Sequence, residues 1–205
     1  MNKDQVLVAA SLALTTLTFS GCHHSEAQTP VFTLSSPDLA SGTFATKFIL
    51  NGFGCTGQNV SPQLVWSNVP PGTKSLQLQV HDPDAPTGSG FWHWAVYNIP
   101  ASASSLPRGA GNAPASLPAP AFGGNTDFLD TGASGGNGNY AGPCPPAGDK
   151  PHRYQFTLYA YGVPDVQAAG RIPRSGSAAL YSFILNKGIG KQLLAKTSFV
   201  ASYGR

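Results

Sequence analysis

Two stretches of the chain alternate apolar and polar residues with the period of a strand. Leu76-Gln77-Leu78-Gln79-Val80 has the pattern of a half-buried strand, and Tyr154-Gln155-Phe156-Thr157-Leu158-Tyr159-Ala160-Tyr161 repeats it with aromatic weight. Trp94-Ala95-Val96-Tyr97-Asn98-Ile99 reads as a third strand, ended by Pro100. Shorter candidates are 31–34, 63–66 and 199–203. Turn signals separate these runs: Pro70-Pro71-Gly72, Asp82-Pro83-Asp84 and Thr87-Gly88-Ser89-Gly90. Residues 177–195 read as helix, with Leu180, Phe183 and Ile184 on one side. Gly188 and Gly190 weaken its second half and predict a break into two pieces. Between 101 and 150 no periodic segment stands out, and 132–138 reads as a surface insertion.

Composition agrees with this pattern. Gly 24 and Pro 18 make up about a fifth of 205 residues, which favours a loop-rich, mainly β domain. Charged residues are only 10% of the chain and the formal net charge is +3, with no run of Lys or Arg. A nucleic-acid partner, which needs clustered cations, is therefore not expected.

The N-terminus stands apart. Lys3 precedes an apolar run from Val6 to Phe19, too short to span a bilayer comfortably but suited to a secretory signal. Ser20-Gly21-Cys22 then places small residues before a cysteine, as at the lipidation site of bacterial lipoproteins. The expected organisation is a signal peptide at 1–21, a lipidated tether at 22–30 and one domain at 31–205. This puts the protein in the bacterial cell envelope, in the periplasm and held to a membrane by its lipid. His23 and His24 lie on the polar tether without a further ligand at fixed spacing, so no metal site is expected there. Cys55 and Cys144 form an even pair once Cys22 is set aside, and in an oxidising compartment they are either a disulfide or two buried thiols.

Polar and aromatic residues gather at three strand ends: Gly57-Gln58-Asn59-Val60-Ser61-Pro62; His81 through Trp94; and Gly142-Pro143-Cys144-Pro145-Pro146 followed by His152-Arg153-Tyr154. Loops at strand ends can converge on one pocket. Singly, each has a structural explanation: an Asp-Pro-Asp turn, a satisfied core histidine, a solvated strand start. In this order, Asp82-Pro83-Asp84-Ala85-Pro86, Trp92-His93-Trp94 and Gly142-Pro143-Cys144-Pro145-Pro146 with His152-Arg153-Tyr154 resemble the signature blocks of the phosphatidylethanolamine-binding family. The Asn59-x-Ser61-Pro62 turn, the Thr87–Gly90 extension and the closing Tyr203-Gly204-Arg205 resemble its bacterial, Raf-kinase-inhibitor-like branch. The similarity covers roughly 31–205.

The resemblance implies a central antiparallel β-sheet, a second small sheet and C-terminal helices. It also implies a small pocket for phosphate, a carboxylate or a phospholipid head group. Matched by motif, the pocket residues are Asp82, His93, Pro145, His152 and Tyr154, with Pro86 following a cis peptide bond and Trp92 beside the pocket. His93 and His152, the Tyr154 hydroxyl and backbone N–H groups are suitable donors to an anion. Asp82 is expected to accept from one imidazole, fixing its tautomer and raising its pKa. Strand alternation turns Arg153 away. The same motif matching brings the Cys55 and Cys144 loops to one pocket and so favours a disulfide between them.

The expected function is binding without a cofactor rather than catalysis. No Ser or Cys stands in an activating motif, although Asp82 with His93 or His152 has the elements of a hydrolytic acid–base pair. An alternative is an envelope factor that binds a protein partner through the pocket rim.

Overall fold

The computed structural model describes residues 30–129 and 138–205. The expected signal segment, Cys22, nearly all of the expected tether and residues 132–137 of the expected insertion lie outside the described residues. In chain order the strands are β1 (Thr33–Ser35), β2 (Asn51–Gly52), β3 (Cys55–Thr56), β4 (Leu64–Ser67), β5 (Ser75–Asp82), β6 (Phe91–Pro100), β7 (Ser105–Leu106), β8 (Phe122–Gly123), β9 (His152–Tyr161) and β10 (Leu193–Tyr203). Two short helices, α1 (Val166–Gly170) and α2 (Ala178–Phe183), separate the last two strands. The fold is mainly β, as expected.

A five-stranded antiparallel sheet in the order β10-β9-β5-β6-β8 forms the centre. A three-stranded sheet, β1-β4-β7, covers one face, and the helical segment between β9 and β10 covers the other. Two cores result. Leu76, Leu78, Val80, Trp94, Phe156 and Leu158 pack against Leu34, Leu64 and Trp66 of the small sheet. On the opposite face Trp92, Tyr97, Tyr159 and Tyr161 pack against Val166, Tyr181 and Leu185.

This sandwiching changes the meaning of the alternation in β5. Its polar residues do not face water: Gln77 is fully buried and Gln79 nearly so. Burial of an amide is tolerated when its hydrogen bonds are made. Gln77 accepts from the Asn98 backbone N–H at 2.7 Å, and Gln79 donates to the Tyr97 hydroxyl and the Ala178 carbonyl at 3.1 Å.

The C-terminal helix is shorter than its sequence suggests. Ser177 caps α2 by accepting from the Leu180 N–H, α2 ends at Phe183, and a wider turn runs through Ile184–Gly188. A tight turn at Gly190–Gln192 follows, and Leu193 already begins β10, so the expected 199–203 strand starts six residues earlier. A Cβ on Gly188 would approach Ile184 Cδ1 to 2.8 Å, which explains a glycine at this bend. The buried side carries Tyr181 and Leu185; Leu180 and Phe183 are 39% and 62% exposed. Residues 101–150 contain only short elements, as the absence of periodicity predicts.

Candidate functional site

The pocket lies where β5 ends at Asp82, β6 begins at Phe91 and β9 begins at His152. It is a cavity of about 260 Å³. Six of the seven expected residues line it: Asp82, Pro86, His93, Pro145, His152 and Tyr154. Its remaining wall is apolar, supplied by Leu50, Phe53, Phe91 and Phe128 among others. Phe91 is recoverable from the sequence as the residue two before His93 on a strand. Phe53 and Phe128 lie in irregular segments where no periodic signal marks them.

A β-bulge aims the histidine. Val80 pairs with Trp94 and His81 pairs with Trp92, so His93 is the unpaired extra residue of β6. Bulges commonly redirect side chains beside functional sites. Here His93 and Trp94 face the same side, where His93 meets the Tyr154 ring edge-on at 5.0 Å. Trp92 is thereby sent to the other face. It packs against the tilted ring of His81 with ring centroids 4.2 Å apart and lines a separate polar groove with Gln155, Thr157 and Lys196. The expectation that Trp92 borders the pocket is therefore corrected.

Asp82 is the centre of the polar network. Its Oδ2 accepts from His152 Nδ1 at 2.7 Å, with both groups buried. Its Oδ1 accepts from the backbone N–H groups of Asp84 and Ala85 at 2.9 and 3.1 Å, an Asp-initiated turn. The carboxylate thus fixes the loop and one tautomer of His152 together. His152 Nε2 lies 3.4 Å from Asp149 Oδ2. The Thr87 N–H reaches back to the Ala85 carbonyl at 2.7 Å, a tight turn centred on Pro86. That turn is made with a trans Ala85–Pro86 bond; among the described residues the cis bond is Ala119–Pro120, which corrects the second expectation. Arg153 points outward as alternation predicts and pairs with Asp84, whose carboxyl it pulls down to about 2.

His93 corrects a third expectation. Burial drives its pKa down to about 4, outweighing the opposing pull of the Ala141 carbonyl and the Asp82 charge. The ring is therefore neutral near pH 7. Its Nδ1–H donates to the Ala141 carbonyl at 3.0 Å, which makes Nε2 a proton acceptor. Burial likewise pushes the Tyr154 hydroxyl upward, and the adjacent Asp82 charge adds to this.

The loops that close the pocket are held from several directions. Asn59, in the left-handed conformation at φ 54°, accepts from the Gly142 N–H and donates to the Tyr140 carbonyl. Cys55 and Cys144 form a disulfide across a sequence separation of 89, with Cα atoms 6.0 Å apart, as expected. Arg205 donates to the carbonyls of Pro145 and Phe53, strapping the same two loops together. Asp127 accepts from the Trp92 N–H at 2.8 Å and so positions its neighbour Phe128 against Phe91 and His93. Among the described residues, no group of three or more His, Cys, Asp or Glu is arranged to hold a metal ion.

A two-faced β-sheet with Asp82, His93, His152 and Tyr154 converging at one end defines a class, and the chain belongs to the phosphatidylethanolamine-binding protein family, whose model matches residues 36–199. Its relatives include the UPF0098 protein YbcL of Escherichia coli (strain K12), 42% identical over 178 residues that cover 86% of this chain and 88% of that one. The crystal structure of E. coli YbcL, described as a new member of the mammalian PEBP family, superposes with a TM-score of 0.72 at 40% identity. That match covers 85% of this chain and 98% of the other. A putative lipoprotein, LppC, of Mycobacterium tuberculosis (strain ATCC 25618 / H37Rv) is 39% identical over 153 residues, 71% of this chain and 67% of its own length.

Proposed function

We propose that this chain is an exported, lipid-anchored binding protein of the bacterial envelope whose pocket takes a small oxyanion, a phosphate or carboxylate group, together with a proton. The carrying observation is the pairing of two buried imidazoles on one cavity. His152 is fixed by Asp82, and His93 is neutral with Nε2 as acceptor. An ionised carboxylate alone meets a lone pair at His93. A protonated one, or a hydrogen phosphate, shares its proton with that nitrogen, which an ionised group without a proton does not do. The aromatic wall of Phe53, Phe91 and Phe128 excludes water and strengthens these contacts. The same wall accommodates the carbon skeleton attached to the acidic group, including the linker of a phospholipid head group.

Binding rather than turnover is the favoured reading, because the Asp82 carboxylate is already engaged by three donors and is not a free base. A protein partner at the rim is the second reading, favoured by Phe53, which is 56% exposed at the cavity edge. The name of LppC and the Ser20-Gly21-Cys22 segment support the lipid anchor and the envelope location.

Calorimetry with acetate from about pH 5 to pH 8 tests the pocket, a range spanning the ordinary imidazole pKa. Affinity should fall as pH rises, and proton uptake should approach one per acetate bound at the neutral end of the range. Binding that is flat with pH, or absent, removes the anion reading. Hydrolysis of a phosphate or carboxylate ester that is lost in His93→Gln would replace binding with catalysis.

A further inference from the structure

The charges of the chain are unevenly distributed. Residues 166–205 contain Arg171, Arg174, Lys187, Lys191, Lys196 and Arg205, and no Asp or Glu. The pocket lies at one end of the central sheet. At the other end, β5 begins at Ser75, β9 finishes at Tyr161 and β10 begins at Leu193, in mutual register. The eight residues of β5 separate the two ends by roughly 27 Å.

This far end is basic and partly apolar. Lys74 precedes β5, Lys187 and Lys191 border one shallow cleft beside Val163, and Arg171 ends α1; all four are exposed. The ion pairs among the described residues involve Arg108, Arg153 and His152, and none of these four cations. The acid at this end, Asp165, is engaged as the cap of α1 and by Asn98. Val31 and Leu194 add apolar surface, 73% and 43% exposed.

The chain's own attachment leads to the same place. Pro30, the first described residue, sits in a cleft with Pro70, Pro71 and Ala195, next to the start of β10. The eight residues from Cys22 to Thr29 reach at most about 29 Å. A domain so tethered has this end within reach of any membrane that holds the Cys22 lipid.

We infer that this basic end, carrying Lys74, Arg171, Lys187 and Lys191 around Val31 and Leu194, is a docking surface for an anionic phospholipid bilayer, with the ligand pocket opening away from it. Unpaired cations near such a surface are attracted over about a Debye length, and exposed aliphatic groups enter the head-group layer. The orientation rests on the lipid-anchor reading; the docking surface stands on the charges and exposed apolar residues alone.

The test uses the exported full chain carrying Cys22→Ala, so that an acyl chain contributes nothing. It should sediment with vesicles of phosphatidylglycerol and phosphatidylcholine, and not with phosphatidylcholine alone. Adding Lys187→Gln and Lys191→Gln should weaken that partition on the order of thirtyfold, as two surface cations imply. Lys150→Gln, at the pocket end, should leave it unchanged. Acetate should bind vesicle-bound and free protein equally. Equal binding to neutral vesicles, no binding at all, or an equal loss with Lys150→Gln overturns the docking surface. Loss of acetate binding on vesicles overturns the orientation. Retention on an acidic peptide without vesicle binding would give the surface to a protein partner instead and overturn the lipid assignment.

Discussion

The carboxylate of Asp82 and the imidazole of His152 meet at 2.7 Å across a sequence separation of 70, both almost completely out of water. One oxygen of Asp82 orients the ring and the other holds the backbone N–H groups of Asp84 and Ala85, so the pocket loop and the histidine share one anchor.

Asp82→Asn should separate these roles. The amide keeps an acceptor for the turn but places its N–H against the N–H of His152 Nδ1, so the bond that orients the ring in the pocket is lost. Acetate affinity should drop by roughly tenfold, equivalent to about 1.4 kcal/mol. Stability in urea should fall on the order of 2–3 kcal/mol, the range for a hydrogen bond to a charged group. Unchanged affinity together with lost stability would make Asp82 structural only.

His93 makes the empty domain acid-sensitive. Its folded pKa of about 4 lies below the ordinary 6.5, so between those values the unfolded chain holds the extra proton. The stability associated with the neutral ring is complete above about pH 6.5 and is lost as pH falls toward 4. The loss is on the order of 3 kcal/mol. Urea midpoints for the wild type and His93→Gln across this window check it: the variant should lose less stability on acidification. Parallel curves would assign the acid sensitivity to other groups.

The disulfide should couple stability to binding. Closing a loop of this length restricts the unfolded chain by about 4–5 kcal/mol at most in the chain-entropy model. Cys144 also lines the cavity. Cys144→Ser should therefore lower the melting temperature and weaken acetate binding in the same protein. A lower melting temperature with unaltered binding would show that Arg205 and Asn59 suffice to hold the loops.

Cys22→Ala should move the protein from the membrane to the soluble fraction when the membranes are washed at high salt. Salt weakens the proposed electrostatic docking but not an acyl anchor. Wild-type protein that washes off under the same salt would argue against lipidation.

What the sequence determined by itself was local and periodic. Alternation in 76–80 and 154–161 located β5 and β9, and turned Arg153 away from His152 and Tyr154. The ordered motifs around Asp82, His93 and His152 identified the pocket and, through the loops they placed, the disulfide. Tertiary structure decided whatever depends on a second layer or on a break in the period. Gln77 and Gln79 look like solvent-facing residues of a half-buried strand, yet the helical cover buries them and Asn98, Tyr97 and Ala178 satisfy them. Tyr181 and Leu185 face the core in place of Leu180 and Phe183, because packing chose the side of a short helix. His93 enters the pocket, and Trp92 leaves it, because one unpaired residue shifts the pleat. A bulge exists only in the register between two strands, so a single strand's sequence does not contain it. Phe53 and Phe128 complete the wall from irregular loops whose positions are set by long-range contacts, the disulfide and Asp127, rather than by local pattern.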